Sequence, residues 1–264
     1  MAKKLYEEQN IANIANNIRE KIGGDKTYKT SEMDEGINEV FEAGKQEEDK
    51  SFWSQYQLAG GETNCDYMFA GQGWKATIFK PKYNIKPTRA QYMFSLTGIQ
   101  GDLVALCEKQ GKIIDFSNCK LFNGFAGNAY SITRFGVIDI SKATDNITFI
   151  NCKSLVTIDK LIVSSTTKYN QYAFEGVTKL ENLIVEGTIA QNNFRVHYCT
   201  LLSKVSIESI INCLSTETSG LIVTLSLDAV KKAFETSSGA NDGNTTTEWE
   251  ALVASKPNWT ITLS

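Results

Sequence analysis

The sequence has few of the residues that most catalytic and metal sites need. Among 264 residues there is a single histidine, His197. A Ser/His/Asp or Cys/His nucleophile system therefore has one candidate base, and zinc sites built from cysteine and histidine are disfavoured. No phosphate-binding loop of the form G-x-x-x-x-G-K-[ST] occurs. We expect a non-enzymatic protein without a cofactor or a metal, in which His197 has a structural role at a repeat turn.

The cysteines are scattered, and none forms a C-x-x-C pair. The six are Cys65, Cys107, Cys119, Cys152, Cys199 and Cys213. Cys152 and Cys199 occupy a position of an internal repeat at which Val177 also stands. A position that accepts cysteine or valine is a small apolar pocket, so the pattern indicates core packing rather than metal or disulfide chemistry.

Charge and hydropathy exclude several kinds of partner. The formal net charge is −3, and basic residues do not cluster with interleaved aromatics, so we expect no nucleic-acid partner. No apolar run approaches the roughly 20 residues that span a bilayer. The first ten residues have no apolar core behind their lysines. We therefore expect neither membrane insertion nor a secretory signal.

The sequence does contain a pattern of apolar residues that occurs three times over residues 149–207. In each copy, apolar residues three apart lead into a β-branched residue. The copies are Phe149, Cys152, Leu155, Ile158 and Val163; Phe174, Val177, Leu180, Leu183 and Val185; Val196, Cys199, Leu202, Val205 and Ile207. Equivalent positions recur about every 22 residues, within the roughly 20–29 residue period of leucine-rich repeats. Because one copy cannot bury its own apolar face, the pattern predicts stacking, with Val163, Val185 and Ile207 on neighbouring strands.

The rest of the chain divides around this repeat. Degenerate copies begin near residue 61, where Tyr67-Met68-Phe69 returns as Tyr92-Met93-Phe94. After residue 205 a helical pattern and two short strand patterns indicate an αβ cap. The predicted fold class is an α/β solenoid of irregular leucine-rich repeats at 61–205, closed by a capping region at 206–264.

Two helices are predicted over residues 1–44, followed by a linker helix or hinge at 45–60. Their apolar stripes supply the candidate partner-docking residues Ile11, Ile14, Ile18, Met33, Ile37 and Phe41. A helix pair of this size buries little surface alone, so we predict that it docks on a partner or self-associates. The alternative is packing against the chain's own repeats. The stripes suit a dimer or a trimer equally, and we expect a homo-oligomer.

Several segments resemble known proteins. The segment Tyr-Ala-Phe-Glu-Gly-Val-Thr-Lys-Leu-Glu-Asn-Leu at 172–183 resembles the BspA-like class of leucine-rich repeats. Ile-Arg-Glu-Lys-Ile-Gly at 18–23, Phe-Ala-Gly-Gln-Gly-Trp at 69–74 and Lys-Pro-Asn-Trp-Thr at 256–260 are similar to tail-associated proteins of phages and prophages from gut bacteria. The resemblance implies a virion structural protein of the tail or fibre, made in the bacterial cytoplasm and joined to other virion proteins through its N-terminal helices. It carries no catalytic residue across.

The expected function is display of the repeat surface to a host cell-surface glycan or protein. A purely architectural role, decorating or joining virion subunits, is the close alternative. A glycan-cleaving spike is the third possibility, with Asp115, Asp139 and Asp159 as its candidate carboxylates. Asp115 and Asp139 hold matching repeat positions, where stacking would set them roughly 5 Å apart. Strand alternation, however, points both of them to solvent.

Overall fold

A computed structural model of the chain describes residues 64–74, 79–81, 83–235 and 247–264. All of these residues belong to one compact unit, Ala59–Ser264. The helices predicted over 1–44, and with them the six candidate docking residues, lie outside the described residues.

The described residues form two parallel β-sheets with a few short helices. In chain order the elements are β1 (Gly101–Asp102), α1 (Leu103–Glu108), β2 (Ile132–Asp139), β3 (Thr157–Val163), β4 (Asn182–Gly187), β5 (Phe194–Arg195), α2 (Lys204–Asn212), β6 (Leu221–Leu225), α3 (Leu227–Phe234), α4 (Thr247–Ala254) and β7 (Trp259–Leu263). One sheet has the order β1-β2-β3-β4 and the other the order β5-β6-β7. The fold class is therefore α/β with two parallel sheets.

The first sheet brings apolar side chains from successive strands into one core. Phe135 of β2 pairs with Ile158 of β3, which pairs with Leu183 of β4. All three side chains are fully buried. β-branched and aromatic residues suit a pleated surface buried against a core, which is why these segments form strands.

Three turns ahead of β2 lie on top of one another, and we call residues 66–71, 91–96 and 123–128 the turn stack. In the first pair of turns, the backbone nitrogens of Tyr67, Phe69 and Gly71 donate to the carbonyls of Gln91, Met93 and Ser95, each at 2.9 Å. The second pair repeats this, since the nitrogens of Tyr92, Phe94 and Leu96 donate to the carbonyls of Asn123, Phe125 and Gly127. Bonding at every second residue gives the turns the regular register of a parallel ladder.

A column of phenylalanine rings runs through the interior, and we call it the phenylalanine column. Its members are Phe69, Phe94, Phe125, Phe149, Phe174 and Phe194, whose successive ring centroids are 5.4, 5.5, 5.9, 5.4 and 6.0 Å apart. These are favourable distances for stacked or edge-to-face rings. The column begins in the turn stack and ends in β5 of the second sheet.

The second sheet is closed by the last segment of the chain. β6 and β7 pair in parallel from Leu221 and Trp259 to Leu225 and Leu263. The indole nitrogen of Trp259 donates to the carbonyl of Ser215 at 2.9 Å. The ammonium group of the buried Lys256 donates to the carbonyls of Asn212 and Leu214, at 2.9 and 2.6 Å. This segment therefore binds the C-terminal end of α2.

The predicted leucine-rich-repeat solenoid is wrong. The strands fall into two separate sheets rather than one continuous stack. Val163 pairs with Gly187, and Val185 pairs with Leu161, so the two valines are out of register. Ile207 is not on a strand at all, because it lies in helix α2.

The physical reason for this correction is the apolar spacing of the third copy. Ile207, Ile210 and Ile211 are all buried on one side of α2, as helical periodicity requires, and Ser203 caps the helix by accepting from the nitrogen of Ser206. The C-terminal region is likewise not a cap on a repeat stack, since β6 and β7 form a sheet of their own with β5.

Candidate binding surface

Asp159, one of the three candidate catalytic aspartates, forms an ion pair on the surface of the first sheet. Arg134 of β2 donates from Nε and Nη2 to the two carboxylate oxygens of Asp159, both at 2.7 Å. The same guanidinium donates from Nη1 to Asp102 at 3.1 Å. These contacts raise the pKa of Arg134, chiefly through the hydrogen bonds to Asp159. A carboxylate held in this bidentate way positions an arginine.

Asp115 and Asp139 are each used in a local turn. The carboxylate of Asp115 accepts from the backbone nitrogen of Ser117 at 3.0 Å, and that of Asp139 accepts from Ser141 at 2.9 Å. The hydrogen bonds from Ser117 lower the pKa of Asp115. A lowered pKa suits a turn-forming carboxylate and does not suit a general acid, which needs a raised pKa. The three aspartates therefore have three separate local partners.

A cavity of about 190 Å³ lies between α1 and β2. Its lining is mainly apolar and includes Leu103, Val104, Cys107, Phe135, Val137 and Ile138. Burial raises the pKa of Cys107 to about 12, so its thiol is protonated and unreactive at neutral pH. Asp159 reaches the wall of the cavity, but its carboxylate is already bound to Arg134. The cavity has no nucleophile positioned for chemistry.

His197 lies on the turn after β5. Its ring centroid is 4.1 Å from that of Tyr198. Partial burial, together with the nearby charge of Arg195, lowers the pKa of His197. Its Nδ1 atom is buried without a hydrogen-bond partner among the described residues. The ring is therefore predominantly neutral at neutral pH and packs as an aromatic side chain.

The most distinctive surface feature is a stacked pair of tyrosines on the turn stack. The rings of Tyr67 and Tyr92 have centroids 4.9 Å apart and planes only 9° from parallel. The side chain of Tyr67 is 62% exposed, whereas Tyr92 is half-buried beneath it. We call these two residues the tyrosine platform, since they present a flat aromatic face to solvent.

Gly124 supports the platform from the third turn. A Cβ atom on Gly124 would lie 2.2 Å from the ring of Tyr92, so no larger residue fits without displacing that ring. The vertical order is therefore Tyr67, then Tyr92, then the bare backbone of Gly124. The ring of Tyr92 therefore lies between the ring of Tyr67 and the backbone of the third turn.

Both platform residues have backbones in the left-handed region. The φ angle is +58° at Tyr67 and +54° at Tyr92. Gly124, at the equivalent position of the third turn, has a φ of +68°, which glycine adopts without cost. A bulky side chain pays about 1 kcal/mol or more for such a conformation. Strained residues of this kind concentrate at functional sites.

A network of polar side chains fixes the base of the platform. Asp66 accepts from Nε and Nη2 of Arg89 at 3.0 and 2.6 Å, and from the backbone nitrogen of Gln91 at 2.9 Å. Gln91 donates onward to Asp145, which also accepts from the backbone nitrogen of Asn123. The amide of Asn123 then donates to the hydroxyl of Tyr92 at 3.3 Å. These hydrogen bonds connect the three turns and fix the side chains at the base of the platform.

The sequence pattern contained the tyrosines but not their role. The return of Tyr-Met-Phe at 67–69 and 92–94 predicts only degenerate copies of the repeat. Phe69 and Phe94 are indeed buried, but the tyrosine two residues earlier points outward. The signal that was available is the absence of glycine or asparagine at a left-handed turn position in two of three copies.

Comparison of the chain with protein-family models, curated proteins and solved structures finds no match. The resemblance to phage tail-associated proteins therefore remains a prediction. Within the described ranges, no group of three or more histidine, cysteine, aspartate or glutamate side chains is placed to hold a metal ion. No helix in that part of the chain is long and apolar enough to cross a membrane.

Proposed function

We propose that this protein is a non-enzymatic binding protein of a phage or prophage virion, associated with the tail or fibre. In this proposal the unit formed by residues 59–264 displays a surface for a host cell-surface glycan or protein. The observation that carries the binding role is the tyrosine platform, an exposed aromatic face kept in a strained conformation. Tyrosine gives large rigid contact area at a low cost in side-chain entropy, which is why it is frequent in binding surfaces.

The virion context rests on the sequence. The segments at 18–23 and 256–260 resemble phage tail-associated proteins, and the apolar stripes at 11–41 suit attachment to other virion proteins or to further copies of the chain. In this proposal the N-terminal residues attach the protein, and the turn stack carries the binding surface. The protein would be made in the bacterial cytoplasm and function on the particle.

Binding of full-length protein to intact cells of candidate gut bacterial hosts tests the display role. Specific, saturable binding to at least one host is expected. Absence of binding to every host tested would contradict the proposal and favour the purely architectural alternative.

Incorporation into particles tests the attachment role. Replacing Ile14 and Ile37 with aspartate is expected to abolish incorporation, because it places charge on both apolar stripes. Asn17→Asp combined with Asn38→Asp adds the same two charges outside the stripe residues and should leave incorporation unchanged. Equal incorporation of the two variants would contradict attachment through these helices.

The glycan-cleaving alternative is less well supported, because each candidate aspartate already has a structural partner. It predicts that the full-length protein shortens a host polysaccharide and that Asp139→Asn abolishes the cleavage without unfolding the protein. Cleavage by the parent protein that Asp139→Asn removes would overturn the non-enzymatic assignment.

A further inference from the structure

We infer that the tyrosine platform is a subsite for one uncharged pyranose ring, stacked on the exposed face of Tyr67. This inference rests on the binding function proposed above and names the ligand class for that function. The occupant is a neutral sugar residue of a cell-surface glycan rather than a protein partner.

The size of the platform favours a sugar over a protein. A stable protein partner buries roughly 800 Å² on each side, centred on a well-packed apolar core. The platform offers one exposed ring, and Asn123, whose amide bonds to the hydroxyl of Tyr92, is polar and exposed. A pyranose is close to a phenol ring in area, and one of its faces is formed by C–H groups that pack on an aromatic surface. One pyranose ring therefore matches the exposed face of one tyrosine ring in size.

The charges around the platform favour an uncharged ligand. The carboxylate of Asp66 is ion-paired with Arg89. The carboxylate of Asp145 accepts three hydrogen bonds, from the backbone nitrogens of Phe122 and Asn123 and from the side chain of Gln91. The guanidinium of Arg89, the cation of the polar network beneath the platform, is already paired with Asp66, which disfavours an acidic sugar or a phosphate.

The polar edge of the platform suits the hydroxyl groups of a sugar. The hydroxyl of Tyr92 accepts from the Nδ2 atom of Asn123, which leaves the phenolic proton available to donate. The carbonyl oxygen of the same amide remains available as an acceptor. The hydroxyl of Tyr67 makes no hydrogen bond to any described residue. A stacked sugar thus finds both donors and acceptors at the rim of the ring.

The backbone strain separates this role from a purely structural one. If stacking of Tyr67 served only the fold, glycine at this position would lose the ring contact and destabilise the turn. Glycine also relieves the left-handed backbone, so its net effect on stability is small. The ring of Tyr67 packs on Tyr92 with one face and is 62% exposed, so its other face is open to a ligand.

The test is titration of the full-length protein with methyl glycosides of glucose, galactose, mannose, N-acetylglucosamine and N-acetylgalactosamine, followed by tyrosine ring resonances in NMR spectra. At least one glycoside should bind and perturb the Tyr67 ring. Tyr67→Ala and Tyr67→Gly should each weaken that binding by about tenfold or more, the scale of a lost aromatic stack. Tyr67→Phe keeps the ring and should retain most of the affinity.

The matched control is Tyr172→Ala. Tyr172 is 47% exposed on a different turn and belongs to neither the platform nor its polar network. Its replacement should leave glycoside binding unchanged. Thermal unfolding of each variant confirms that lost binding is not lost folding, and Tyr67→Gly provides a folded variant if Tyr67→Ala proves unstable.

The outcomes separate the two proposals. If no glycoside perturbs Tyr67, or if Tyr67→Gly binds as well as the parent, the sugar subsite is wrong, even where the parent still binds host cells. If the glycoside binds as described but no host cell is bound, the subsite stands and host attachment is contradicted. Loss of both glycoside and cell binding in Tyr67→Gly alone supports both proposals.

Discussion

The side-chain oxygen of Ser206 accepts a hydrogen bond from the backbone nitrogen of Leu183 at 2.9 Å. The same hydroxyl donates to the carbonyl of Glu181 at 3.1 Å. Three residues further along α2, Ser209 bonds in the same way to the nitrogen of Val185 and the carbonyl of Leu183, at 3.1 and 3.2 Å. Two helical serines thus take the place of a strand along the edge of β4. Exposed strand edges invite pairing with other chains, and this one is covered.

Ser206→Ala should destabilise the protein by about 1–3 kcal/mol, because it leaves the buried backbone N–H of Leu183 without a partner. Ser206 has no exposed surface, so water cannot replace the hydroxyl. The free energy of unfolding, measured by chemical denaturation of the full-length protein, checks this. Ser165→Ala removes a hydroxyl from an exposed loop and should change stability little. Equal effects of the two substitutions would show that the hydroxyl of Ser206 does not bind the edge of β4.

Gly124→Ala should destabilise the protein by about 2–4 kcal/mol. Part of the cost, about 1–2 kcal/mol, comes from placing alanine at a φ of +68°. The rest comes from pushing the ring of Tyr92 away from its stacked position. Near-ultraviolet circular dichroism of the tyrosines and chemical denaturation together measure both effects.

Gly111→Ala is the matched control for this substitution. Gly111 has a φ of +61°, but no atom lies within 4 Å of the position that a Cβ would take. It should show the backbone cost alone and leave the tyrosine spectrum unchanged. If both variants lose the same stability and keep the same spectrum, Tyr92 does not rest on Gly124.

Lys256→Met should destabilise the protein by about 1–3 kcal/mol, since two carbonyls at the end of α2 lose their shared donor. Methionine keeps much of the length and apolar stem of lysine, so the loss reports the ammonium group. Lys232→Met, on the exposed face of α3, is the control and should be nearly neutral. Thermal unfolding of the two variants measures the difference. A neutral Lys256→Met would mean that water satisfies these carbonyls.

The unfolding free energy should fall as the pH is lowered through the titration of His197. The pKa of His197 is below its ordinary value of 6.5 in the folded protein. The unfolded state therefore binds the proton more tightly, and protonation favours unfolding. This contribution is fully present above the unfolded pKa and is lost as the pH falls through the folded one.

Chemical denaturation between about pH 7.5 and pH 5 tests this dependence, because carboxylates titrate mainly below that range. His197→Gln should flatten the slope in this window, as there is no other histidine in the chain. An unchanged slope in this variant would assign the dependence to another group.

The sequence predicted elements better than it predicted their arrangement. The helical pattern predicted after residue 205 overlaps α2, and strands form in the same region as β6 and β7. The recurring phenylalanines mark the phenylalanine column, since a large apolar residue at a fixed interval can only be buried together with its copies. The predicted strand register was wrong at Ile207, because this residue fits both the repeat pattern and the apolar stripe of a helix. Helical packing was decisive, with three isoleucines buried on one face of α2.

The candidate site was less visible in the sequence, for two physical reasons. Apolar periodicity records which side chains are inside, and it carries no information on φ. The left-handed backbone at Tyr67 and Tyr92 was therefore hidden. The sequence pattern also gives no information on ion pairs between distant residues. The contact between Arg134 and Asp159 therefore becomes visible only when β2 and β3 pair.

The phenylalanine column also bears on how the unit comes apart. The rings of Phe174, on the side of the first sheet, and Phe194, in β5 of the second sheet, have centroids 6.0 Å apart. Phe135 of β2 packs on Phe149, and the column continues from there through Phe174 to Phe194 of β5, so one interior connects the two sheets. Melting should consequently be a single cooperative transition, in which probes in β2 and in β7 report the same midpoint.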